Sequence, residues 1–109
     1  MWPQSGRMQI VARRFLVPST HRVRVYCDFH KAVDPCTFLL TTVGSRRDID
    51  LLGADLVVGT PLTFWMDDRS ADGRRDDLLV DGVLDRLADR TWIARVDSTT
   101  WRHDSAERS

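Results

Sequence analysis

Between residues 59 and 97 the chain alternates apolar and polar residues in three short stretches, and this pattern constrains the fold more than any other feature. In 61–66, Leu62, Phe64 and Met66 share one side; in 78–85, Val80, Gly82 and Leu84 do; in 91–97, Trp92, Ala94 and Val96 do. Period-two alternation of this kind describes strands with one buried face. An acidic turn at 67–77 and a short polar turn at 87–90 join them. Strands this short, joined this tightly, predict a small antiparallel sheet or barrel. Gly82, inside the second stretch, predicts a bulge or a close approach by a bulky neighbour.

The same period appears upstream. Across 22–30, Val23, Val25, Cys27 and Phe29 alternate with Arg22, Arg24, Asp28 and His30, and after the break at Asp34-Pro35 a β-rich run resumes at 37–43. These two runs predict a hairpin. Ser45 then opens one short helix near 45–52: its hydroxyl can cap the backbone N–H near Asp48, Ile49 and Leu52 share a face, and Gly53 supplies a left-handed stop. A tight turn at 98–100 leaves Trp101-Arg102-His103 as a closing strand. The expected fold is therefore mainly β: a five- to six-stranded antiparallel barrel or curved sheet of SH3-like size, with that helix. Residues 1–20 lack periodicity and are expected to form an N-terminal arm, disordered or an edge strand; 21–104 make one β domain, and 105–109 a disordered tail.

A length of 109 residues supports one domain with a core that needs neither disulfide nor metal. The apolar runs are too short for a transmembrane helix. Arg13 and Arg14 interrupt what a secretory signal would need as a continuous apolar stretch, so a cytoplasmic location is expected. Charge is balanced overall but lopsided along the chain: residues 1–31 carry a net +5 and residues 32–109 a net −5. A basic front half can meet a polyanion, or the two halves can neutralise each other on one folded surface. The near-exclusive use of Arg and Asp for charge reads as the codon bias of a GC-rich genome.

Among motifs, the acidic turn comes nearest to chemistry. Counting from Asp68, the oxygen-bearing side chains Asp68, Ser70, Asp72 and Asp76 fall at the first, third, fifth and ninth positions of a calcium loop, with Gly73 at the sixth. The twelfth, which should carry a bidentate carboxylate, is Leu79, and three arginines lie inside the loop; the alternative is a solvated turn. Cys27, His30 and Cys36, with His21 or His103, are zinc-ligand types, but Cys27 and His30 lie on opposite faces of one strand and no paired-cysteine knuckle exists. Cys27 reads instead as a small core hydrophobe. A Cys27–Cys36 disulfide is sterically conceivable across the expected hairpin and disfavoured in the cytoplasm. Trp65 lies opposite Leu62, Phe64 and Met66, so it is either an exposed anchor for a base or a partner, or is buried by a second layer. The sequence carries no nucleophile elbow, phosphate loop or dinucleotide fingerprint.

The order of Val25-Tyr26-Cys27-Asp28-Phe29, Leu40-Thr41-Thr42-Val43-Gly44, Leu62-Thr63-Phe64-Trp65-Met66-Asp67-Asp68, Leu78-Leu79-Val80-Asp81-Gly82-Val83-Leu84, Trp92-Ile93-Ala94-Arg95-Val96-Asp97 and Trp101-Arg102-His103 resembles a family of short, uncharacterised bacterial mainly-β proteins. The resemblance spans about 21–104, and the arm before it departs from the pattern. It implies no activity, substrate or cofactor. The functional expectation is a non-catalytic small β-barrel interaction module without cofactor, whose partner is a macromolecule and more readily a protein than a nucleic acid. Its alternatives are a single-stranded nucleic-acid binder using Arg22, Arg24 and Trp65, and a calcium-responsive module using Asp68, Ser70, Asp72 and Asp76.

Overall fold

A computed structural model of the chain describes residues 22–53 and 57–107. The expected arm at 1–20 lies outside them. Among the described residues seven strands form one mixed sheet: β1 (Arg24–Tyr26), β2 (Ala32–Asp34), β3 (Thr37–Leu39), β4 (Pro61–Met66), β5 (Leu78–Arg86), β6 (Trp92–Val96) and β7 (Arg102–His103). Helix α1 (Val43–Leu52) separates β3 from β4, and a four-residue helix α2 (Asp104–Glu107) follows β7. The strand order is β1-β4-β5-β6-β3-β2, with β7 also on β5. The mainly-β class with one helix near 45–52 is as expected; the sheet is unclosed, since no pair among the described strands joins β1 to β2.

Two expectations are corrected. The runs at 22–30 and 37–43 do not form a hairpin: β1 pairs in parallel with β4, with Val25 opposite Phe64, while β3 lies between β2 and β6. A parallel pair needs a crossover of a dozen or more residues, and the chain from Cys27 to Thr60, which carries α1, supplies it. The sheet is therefore mixed where an antiparallel one was expected. Of the tail expected at 105–109, residues 105–107 belong to the helix Asp104–Glu107.

Alternation places one row of β1, β3, β4, β5 and β6 in a single core. Val25 and Cys27, Leu62 and Phe64, Val80 and Leu84, and Ala94 and Val96 meet Phe38 and Leu40, with Ile49 of α1 closing over them. The rings of Phe29, Phe38 and Trp101 seal one end edge to face, with centroids 4.8–6.1 Å apart. Phe29 follows the first strand of the order and Phe38 sits in the fifth, so the sheet coils enough to bring its two ends together over the core.

α1 also completes the sheet sideways. Thr42 is its N-cap, accepting the Ser45 N–H at 3.1 Å, so the helix starts earlier than the expected Ser45 cap. Ser45 and Asp48 are freed for another use. The Ser45 hydroxyl donates to the Tyr26 carbonyl, and Asp48 Oδ2 accepts the Tyr26 N–H at 2.8 Å. These side chains satisfy the main chain of Tyr26, on the side of β1 away from β4. Gly53 ends the helix at φ 61°, in the left-handed region expected of it.

β5 is the central strand, and seven of its nine residues are buried. Beside it β6, a 3-10 turn at Ser98–Thr100 and β7 form one interrupted strand: β6 covers β5 from Gly82 to Arg86, and β7 covers Leu78 and Leu79. The interruption is tied to Asp81, whose carbonyl accepts the Asp97 N–H at 2.8 Å and whose N–H donates to Thr100 Oγ1 at 2.9 Å. Gly82 sits where β6 begins to turn away. A Cβ there would press into the Arg95 carbonyl oxygen and lie 2.9 Å from the Val96 Cα, so the bulky neighbour is backbone, which cannot rotate aside. Gly82→Ala is expected to cost about 2–3 kcal/mol through overpacking, read as a lower urea midpoint at unchanged slope.

Candidate functional site

The face of the sheet turned away from the core carries the charge. Along β5 it presents Leu79, Asp81, Val83 and Asp85, an alternation of apolar and acidic residues, and all four are buried. Each carboxylate is matched from a neighbouring strand. Asp85 pairs with Arg95 of β6, and Arg95 Nη1 continues to Thr37 Oγ1 of β3 at 3.4 Å. Asp81 accepts the Thr63 hydroxyl of β4 at 2.8 Å and Arg102 Nη2 of β7 at 3.0 Å. Arg22, 8 % exposed, lies close enough to Asp81 and Arg102 to feel both, while burial pulls its guanidinium below the ordinary arginine value.

The segment after β7 crosses this face. Arg24 of β1 reaches Asp104 at 3.0 Å and Glu107 at 3.4 Å, although β5 and β4 lie between β7 and β1. Arg102 binds the other oxygen of Glu107, with its Nε at 2.9 Å. The Asp104 N–H donates to the Asp77 carbonyl at 2.8 Å, and Ser105 donates its N–H and hydroxyl to the Asp76 carboxylate.

On the same face, Tyr26 of β1 stands opposite Trp65 of β4. Their rings meet edge to face at 5.0 Å, and the Arg75 guanidinium lies 5.7 Å over the Trp65 ring. Trp65 is half-buried, between the two alternatives of an exposed and a buried ring. Arg75 is steered by Asp77 at 2.9 Å and Asp67 at 3.1 Å. Beside it, Asp67, Asp68, Arg69 and Arg75 line an open depression of about 440 Å³.

The proposed calcium ligands do not converge. Asp68 binds His103 Nε2 at 2.8 Å; Asp72 takes the Ser70 hydroxyl and the Arg74 N–H; Asp76 is held by Ser105. Among the described residues no three His, Cys, Asp or Glu side chains gather as a metal site would require. Of the residues proposed for nucleic acid, Arg22 is buried, and Arg24 is exposed but ion-paired to α2. Both cysteines are thiols: Cys36 is exposed, and burial pushes Cys27 up to about 12, keeping it protonated in the core.

Sequence reasoning missed Asp81, Asp85, Arg95, Arg102, Asp104 and Glu107. A signal was present for one pair, since closing the turn at 87–90 brings Asp85 diagonally next to Arg95. No family model, curated protein or solved structure matches the chain.

Two outcomes follow from the turn. Thermal unfolding is expected to give one midpoint in millimolar calcium and in chelator, whereas a real site would add about 2.7 kcal/mol at a hundredfold excess of ligand over Kd. Hydrogen bonding to His103 holds the Asp68 carboxyl below its ordinary value, and Ser70 does the same for Asp72. A carboxyl depressed by folding contributes stability above its unfolded pKa and loses it as pH falls through the folded value. Wild type should therefore exceed His103→Gln in urea resistance at about pH 5 and lose that margin progressively as pH falls below the ordinary aspartate value.

Proposed function

We propose that this chain is a non-catalytic interaction module that recognises a protein through the Tyr26–Trp65–Arg75 surface beside the acidic turn. One observation carries the reading: a half-buried tryptophan, braced by a tyrosine and capped by an arginine, borders an open depression of mixed charge. Tryptophan, tyrosine and arginine are the residues that most often anchor protein partners, because they offer large rigid area with a polar handle. Mixed charge around the depression suits a protein surface better than the uniform negative field of a nucleic acid. The carboxylates of the described face are matched to arginines, which supports a structural rather than an acid–base role for them.

The coiling that brings Phe29 against Phe38 supports a barrel-like domain of SH3 size, and the order of the segments supports kinship with the short bacterial β-proteins that the sequence resembles. Two thiol cysteines suit the cytoplasm.

The test is a photo-crosslinker placed at Arg69 in the full chain, used in native lysate. A discrete protein adduct is expected, and it should be lost in Trp65→Ala and in Arg75→Glu while circular dichroism stays that of wild type. Adducts that vanish with nuclease, or that persist in both variants, would refute the reading.

A further inference from the structure

Two neighbouring strands end in the same short pattern. Tyr26-Cys27-Asp28 closes β1 and Trp65-Met66-Asp67 closes β4, each an aromatic, an inward residue and an aspartate. The strands run parallel with Tyr26 opposite Trp65, and the Cys27 N–H extends the ladder to the Trp65 carbonyl at 2.9 Å. In that register the next outward positions are Asp28 and Asp67, and like charges set side by side repel. Each carboxylate is engaged through one oxygen. Asp28 Oδ1 takes the His30 N–H at 2.9 Å and meets its Nδ1 at 3.1 Å, and Asp67 Oδ1 takes Arg75 at 3.1 Å. Among the described residues no hydrogen bond reaches either Oδ2 or the Tyr26 hydroxyl. Burial first, then the charges of Asp28 and Asp67, raises the Tyr26 phenol above its ordinary value, so both carboxylates stand near that hydroxyl.

The tyrosine is held firmly in place. Ser45 and Asp48 of α1 fix its main chain, Trp65 meets its ring edge to face, and a Cβ on Gly44 would stand 3.0 Å from that ring. The chain's own Arg75 shows what such groups accept: its guanidinium lies 5.7 Å over Trp65 while bound to Asp67. We infer that Tyr26, Asp28 and Asp67 form a seat for an arginine of the partner protein, beside Arg75 and without displacing it. A guanidinium offers five N–H donors in one plane, so the two Oδ2 oxygens and the phenol oxygen can accept from it together, while its stem covers the aromatic pair. The compact ammonium of lysine lacks that fork. A nucleic acid would bring phosphates against the same two carboxylates. The inference rests on the interaction-module reading for the partner's being a protein, and adds which side chain that partner presents.

The test uses the full chain and the blocked tripeptide Gly-Arg-Gly, with the Trp65 indole N–H signal followed by NMR. Analogues carrying citrulline, which keeps the shape and removes the charge, and lysine are titrated beside it. The arginine peptide is expected to move the signal saturably and to bind at least about tenfold more tightly than the citrulline one. Asp28→Asn keeps a carbonyl for the His30 N–H, and Tyr26→Phe keeps the ring against Gly44. Each should weaken the arginine peptide at least about threefold. An unmoved signal at millimolar peptide, equal binding of the citrulline or lysine peptide, indifference to Asp28→Asn, or preference for a single-stranded oligonucleotide overturns the inference. The comparison of peptides needs only wild type, so it decides even where a variant fails to fold. The adduct from Arg69 separates the two readings. Retained in full in Asp28→Asn, it overturns the arginine seat and leaves the interaction module; peptide binding without any adduct supports the seat and removes the module.

Discussion

Two carboxylates buried on the central strand govern how this molecule is assembled. A carboxylate removed from water without a partner costs several kcal/mol, and in practice protonates or finds a cation. β5 carries Asp81 and Asp85 with 5 % and 3 % exposure, so its neighbours must deliver donors at fixed places. Arg95 on β6 and Thr37 on β3 answer Asp85; Thr63 on β4 and Arg102 on β7 answer Asp81. A one-residue slip of β6 would turn Arg95 toward the core and leave Asp85 without it. The pairs add little net stability over an apolar face of the same volume, yet they allow only one register.

Asp81 does more than accept an arginine. Its main chain holds Asp97 and Thr100 while its side chain holds Arg102, so one residue gathers the end of β6, the 3-10 turn and β7. Asp97 steadies that turn through the Thr99 N–H at 3.0 Å. The turn is what re-aims the chain. Without it β6 would run straight past Gly82, where its backbone already allows no side chain, and Arg102 would miss the carboxylate it meets.

Much of this was legible as pattern, and the failures have physical causes. The core rows of β4, β5 and β6 followed from alternation, because burial on one face imposes period two whatever the neighbours are. Trp92, Ala94 and Val96 face inward as that rule requires. The partner of β1 was not legible: sequence proximity favoured a hairpin with β3, whereas pairing Val25 with Phe64 depends on a crossover whose direction no local residue encodes. β2 gave no signal because it is exposed throughout. Ser45 was recognised as a helix-start residue, but its hydroxyl turned out to serve β1, and Thr42 took the cap. At the site, Trp65 was read as either an exposed anchor or buried packing, and Arg24 as a contact of the nucleic-acid alternative. The structure places them on one face but braces the first with Tyr26 and engages the second with α2. Polar positions on an alternating strand are read as solvent-facing, and Asp81 and Asp85 break that reading because their arginines come from other strands.

The manner in which α1 treats β1 has a consequence for recognition. An open strand edge offers its main chain to any incoming strand, and such pairing is nearly indifferent to the visitor's sequence. Here Ser45 and Asp48 already occupy the donor and acceptor of Tyr26, so a visitor at that edge finds its main-chain groups taken. The opposite edge, β2, is three residues long and runs into Pro35. A protein partner of the kind proposed would thereby be directed to side chains on the faces. Recognition of that kind reads residue identity rather than backbone shape, so partner choice can drift by single substitutions while the sheet beneath stays as it is.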